Sequence, residues 1–97
     1  MIIDGERKLT IKMKELLDDI SIKQTAYESA QAGFDSAGRR SESSGRMYDN
    51  GMMGEPEYLK SEISYLQYKA AFYAAEANLR LAIETYQWAI KGLAEVE

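Results

Sequence analysis

Two long series of positions alternate spacings of four and three along this chain. The first runs Leu9, Met13, Leu16, Ile20, Lys23, Tyr27, Ala30, Phe34, Ala37, Ser41, Ser44 and Tyr48. The second runs Ser61, Tyr65, Tyr68, Phe72, Ala75, Leu79, Ala82, Tyr86, Ala89, Leu93 and Val96. Most members are apolar, and Lys23 is the charged exception. Such spacing marks the seam between helices that pack at a shallow angle. The pattern therefore predicts an all-α fold, a long antiparallel two-helix coiled-coil hairpin spanning residues 1–97 as a single domain.

The segment between the two series supplies a turn. Gly51 suits the left-handed position just past a helix end. Pro56 suits a first helical turn, where its missing N–H costs nothing. Glu55 and Glu57 then sit at the positive end of the second helix dipole. We place the first helix at about residues 4–49, the turn at about 50–55 and the second helix at about 56–95. Folding there brings Tyr48 near Tyr58, Phe34 near Phe72 and Leu9 near Val96. With a rise of 1.5 Å per residue, arms of about 40 residues would be roughly 60 Å long.

Residues 37–46 contain Gly38, Gly45 and three serines and are weak helix formers. A flexible linker is the alternative there. The heptad runs on through the segment with small residues on the seam, however. These would face Tyr65 and Tyr68, so the prediction is continuous helix with small side chains opposite large ones.

The second helix carries another stripe, Leu59, Ile63, Leu66, Ala70, Tyr73, Ala77 and Leu81, which points away from the seam. Two helices alone bury little, and small domains without disulfides or metal commonly need association. We read this stripe as an interface to further helices, in copies of the chain, a parent chain or a partner, giving a larger bundle or barrel.

Composition narrows the chemistry. Among 97 residues there is no cysteine and no histidine, which removes disulfides, thiolate metal sites and the commonest general base. The hydrophobic fraction of 45% is too high for a disordered chain. A net charge of −4 argues against nucleic acid or anionic lipid as a partner held by charge. The longest apolar run, Ala70 to Ala75, is far short of the roughly 20 residues needed to cross a bilayer as a helix. No direct membrane insertion by this segment is expected. The start, Met1 to Gly5, lacks the basic region and apolar core of a signal peptide.

Carboxylates are numerous, including Asp18, Asp19, Glu62, Glu76 and Glu84, but none stands beside a His or Cys at ligand spacing. Asp49-Asn50-Gly51 opens like a calcium loop, and the later ligands of an EF-hand do not follow. There is no phosphate-cradling glycine loop. The expectation is no enzyme activity and no cofactor or metal. Tyr27, Tyr48, Tyr65, Tyr68 and Tyr86 lie on the seams, where packing is their role. Met52 and Met53, two flexible apolar side chains at an exposed turn, suit an adaptable contact.

The segment Arg46-Met47-Tyr48-Asp49-Asn50-Gly51, followed by Glu57-Tyr58-Leu59-Lys60-Ser61-Glu62-Ile63-Ser64-Tyr65-Leu66-Gln67, resembles the TolC family of outer-membrane efflux proteins. There a helix ends in a Tyr-x-x-Gly turn, and a second, Ala-rich helix opens with an acidic residue and Leu. Ala77 to Tyr86 and Lys91-Gly92-Leu93 resemble that helix's continuation, while Ala26 to Ala30 and Phe34 to Ala37 resemble the incoming one. The likeness covers most of residues 20–93.

The resemblance implies a periplasmic tunnel hairpin in the cell envelope, whose tip meets a periplasmic adaptor (membrane fusion) protein during transport. Tyr48, Asn50 and Gly51 would belong to the tip motif, and Glu57 would stand near the constricted entrance. Met52, Met53 and Gly54 would be adaptor contacts. Members of the family hold two such repeats and barrel strands, whereas this chain has one repeat and no convincing strand. The expectation is therefore an excised hairpin or a stand-alone relative. Gly54-Glu55-Pro56 also departs from the family's Ser- or Thr-bearing turn. A second reading is a small secreted hairpin of the type VII secretion kind, acting as a dimer. Length and acidity favour it, but the Trp-x-Gly turn of those proteins is absent, since Trp88 lies near the C-terminus.

Overall fold

The two heptad series close into two helices, α1 (Ile2–Asp49) and α2 (Glu55–Val96). They run antiparallel in a rod of 74 × 18 × 16 Å. The structure is a computed structural model that describes the backbone of residues 2–96 and the side chains of residues 8–92. The fold is the all-helical hairpin predicted from the spacing. The expected Leu9–Val96 pair and the seam positions Leu93 and Val96 lie outside the described side chains.

Most of the seam is where the heptads place it, although Leu9, Tyr48 and Tyr68, which the spacing assigns to it, are exposed. Met13, Leu16, Ile20, Tyr27, Ala30, Phe34, Ala37 and Ser41 are half-buried or buried on α1. Ser61, Tyr65, Phe72, Ala75, Leu79, Ala82, Tyr86 and Ala89 are so on α2. An aromatic cluster ties the middle of the rod. Phe34 and Phe72 stack with ring centroids 5.3 Å apart, Tyr27 lies 5.3 Å from Phe72, and Phe34 lies 5.6 Å from Tyr65. Such pairs add about 0.5–1.5 kcal/mol each beyond the area they bury. Lys23 is half-buried, with its Nζ 3.8 Å from Asp19 Oδ1, so its aliphatic stem covers the seam while its charge reaches a carboxylate.

Helix α1 continues unbroken through residues 37–46. Packing outweighs the weak propensity there. Ala37, at 3% exposure, and Ser44, at 9%, are among the most buried residues described. The opposing partners differ in detail from expectation. Tyr68 lies over Gly33, where an added Cβ would stand 3.2 Å from the ring, and Tyr65 lies beside Gly38. The seam serines meet polar groups instead. Ser61 Oγ donates to Ser44 Oγ at 2.8 Å, and Ser41 Oγ donates to Glu62 Oε1 at 2.9 Å. At Gly33 the missing Cβ makes room for the Tyr68 ring, whereas at Gly38 a Cβ would only touch Tyr65 at ordinary contact distance.

The hairpin has little interior. Among the described residues only Ala37, Ala82 and Ser44 are buried, and no large side chain is fully enclosed. Two cylinders touching along one line can cover only one face of each other, so most apolar surface stays wet.

Candidate functional site

The tip is the part of the molecule with the most specific local geometry. Tyr48 and Asp49 end α1, and Gly51 takes φ 75. Its N–H donates to the Tyr48 carbonyl at 3.1 Å, and the Met52 N–H donates to the Met47 carbonyl at 2.8 Å. These are the two bonds of a Schellman motif, which satisfies carbonyls that the helix end leaves free. The Asn50 N–H still makes a helical bond to the Arg46 carbonyl at 3.0 Å. Only a residue that tolerates positive φ can occupy position 51, which explains the glycine.

The chain then needs one more corner to enter α2. The Gly54 carbonyl accepts from the Tyr58 N–H at 3.0 Å, so Gly54 acts as the N-cap position. Helix α2 opens at Glu55, which puts Pro56 at its second position and Glu55 and Glu57 in the first turn. Across the tip Tyr48 and Tyr58 stack with centroids 4.5 Å apart and planes 18° from parallel. This stack ties the two helix ends together beside the turn.

The surface of the tip mixes apolar and acidic groups. Met52 is 74% exposed, and Met47 and Tyr48 are partly exposed beside it. Asn50, Gly51, Gly54, Glu55 and Glu57 are exposed as well. Met53 is the exception to the expected pair of exposed methionines, because it is half-buried. A turn of this shape sends successive side chains to opposite sides, so one of two adjacent methionines turns towards the protein. Met47 was not singled out from sequence. Its carbonyl accepts the Schellman bond that spans six residues, and the only signal for it was its spacing of five from Met52.

The outer stripe of α2 is the second candidate surface. Leu59, Ile63, Leu66, Ala70, Tyr73, Ala77 and Leu81 are all exposed, the larger ones at 50–63%. Trp88, 71% exposed, stands seven residues beyond Leu81, with Lys91 Nζ 5.3 Å from its ring centre. The heptad offset from Leu81 was the signal that could have added it to the stripe. The polar groups along both helices are arranged locally. Arg80 Nη2 meets Glu76 Oε1 at 3.1 Å, an i,i+4 pair, and the Thr25 and Thr85 hydroxyls bond to backbone carbonyls four residues back. Among the described residues no group of three acidic side chains is placed to hold a metal ion, and no helix is long and apolar enough to cross a membrane.

Compared with known proteins, the chain matches no family model, no curated protein and no solved structure.

Proposed function

We propose that this chain is a periplasmic tunnel hairpin of a TolC-like outer-membrane efflux or secretion channel, acting as structure and docking surface and not as an enzyme. The observation that carries the reading is the tip. A 74 Å rod ends in a hydrogen-bonded turn that carries exposed Met52, with Tyr48, Glu55 and Glu57 also exposed at the two helix ends. A flexible thioether on a preformed turn gives a partner apolar contact at low ordering cost. The resemblance of Arg46 to Gln67 to the family supports naming that partner as a periplasmic adaptor protein. The unpartnered α2 stripe supports a place among neighbouring helices of a larger assembly, which would cover the apolar surface that one hairpin leaves wet.

The direct test is binding of the full chain to the helical hairpin of a purified periplasmic adaptor from the same cell envelope. Met52→Asp and Gly51→Val should each weaken binding at least tenfold, whereas Trp88→Ala, at the other end of the rod, should leave it unchanged. Equal effects of the tip and far-end variants, or no binding at all, would refute the reading.

A further inference from the structure

We propose that α1 contains a joint at residues 37–46, so that the tip, held by its tyrosine stack, moves as one body relative to the aromatic shaft below. The joint is a property of this chain's own packing and does not depend on what the tip docks on.

The first support is the helix itself. Gly38 and Gly45 lie in regular α-helix, where glycine is the weakest ordinary helix former. Packing does not demand Gly45, since an added Cβ there would meet nothing within 4 Å. At Gly38 the nearest atom would be Tyr65 Cε2 at 3.9 Å, an ordinary contact. Gly33 is different, because there the Tyr68 ring would crowd the new atom. Residues 38 and 45 thus weaken the helix with no steric return. Helices bend at Gly/Ser pairs, and Ser44-Gly45 is one.

The second support is the interface. Below the joint, Tyr27, Phe34, Tyr65 and Phe72 hold the helices together through large rings. Above it, Tyr48 stacks on Tyr58. Between these two clasps the helices meet through Ala37, through the Tyr65 ring beside Gly38, through the Arg40 guanidinium 5.4 Å from the Tyr68 ring centre, and, at 41–44, through the Ser41–Glu62 and Ser44–Ser61 hydrogen bonds alone. Small side chains remove little apolar area from water, and hydroxyl pairs exchange for water at low cost. The layers at 41–44 are therefore the ones that open at least cost, even though they are closely packed. Low apolar burial within an otherwise firm element is the signature of a local opening unit.

Two measurements on the full chain test this. In hydrogen exchange, amides of residues 37–46 should exchange at least tenfold faster than those of 24–34 and 66–79. The Gly38→Ala/Gly45→Ala double variant should slow the joint by about thirtyfold. The chain has no cysteine, so spin labels can be placed without background. A pair at Gln24→Cys and Met52→Cys, spanning the joint, should give a broader distance distribution than a pair at Gln67→Cys and Gln87→Cys along α2. The double alanine variant should narrow the first and leave the second unchanged. Uniform exchange along α1, equally narrow distributions, or a double variant that changes neither would each overturn the joint.

Discussion

Replacing Gly51 with valine isolates the cost of a backbone conformation. Position 51 has φ 75, and an added Cβ would meet nothing within 4 Å. For alanine any destabilisation must then come from holding an L-residue in the left-handed region and not from a clash of the Cβ, and valine adds branching at that same Cβ. That strain is about 1–2 kcal/mol for an ordinary side chain and greater for a β-branched one. Asparagine, which visits this region readily, should cost only a fraction of it. The native state can escape by giving up the Schellman bonds from Gly51 to Tyr48 and from Met52 to Met47, which leaves carbonyls to water. The expected order of stability is Gly, then Asn, Ala and Val. For a chain of this size about 2 kcal/mol lowers Tm by roughly 8–16 °C. The assay is thermal and urea unfolding followed by circular dichroism at fixed protein concentration. A valine variant that melts with the wild type, or an asparagine variant as weak as valine, would refute the assignment of the cost to φ.

Three further outcomes follow from the packing. Ser44→Ala or Ser61→Ala alone should cost about 1 kcal/mol by leaving one seam hydroxyl without its partner, whereas the double variant should return close to wild type. A double-mutant cycle in urea reads the difference. Gly33→Ala gains about 1 kcal/mol of helix propensity but pushes a Cβ to 3.2 Å from the Tyr68 ring, so its benefit should appear fully only when combined with Tyr68→Ala. Thermal melts of the two backgrounds decide it. On the proposed tunnel-hairpin reading, sedimentation across a wide concentration range should show a monomer or weak assembly, made weaker by Leu66→Glu on the α2 stripe. A tight dimer at low micromolar concentration would favour the secreted-hairpin reading instead.

Much of the architecture could be read from spacing alone. The Tyr48–Tyr58 and Phe34–Phe72 pairs are where the heptad register puts them, because a helix converts sequence separation into position with little freedom. Gly51 was legible for the same kind of reason, since a turn needing positive φ leaves few choices of residue. Finer features were not. That Met53 turns inward while Met52 stays out depends on turn dihedrals, which no periodicity encodes. The partners of Ser41 and Ser44 depend on the rotamers of Glu62 and Ser61 across the seam, which the register does not encode. Trp88 shows another limit, because its heptad offset from Leu81 gives its face but not how much of its ring stays in water.

The line of layers along the rod also dictates an order of assembly. Ser44 and Ser61 are 17 residues apart in the chain and Ser41 and Glu62 are 21 apart, while the rings of Tyr27 and Phe72 belong to residues far more distant in sequence. Each layer closes a longer loop than the one above it, yet once its neighbour has formed, the added loop is only a few residues on each helix. Folding then proceeds like a zipper with one slider, starting beside Gly51 and running towards the open end. The tyrosine pair at the tip is the first tooth, so its loss should slow folding more than it speeds unfolding.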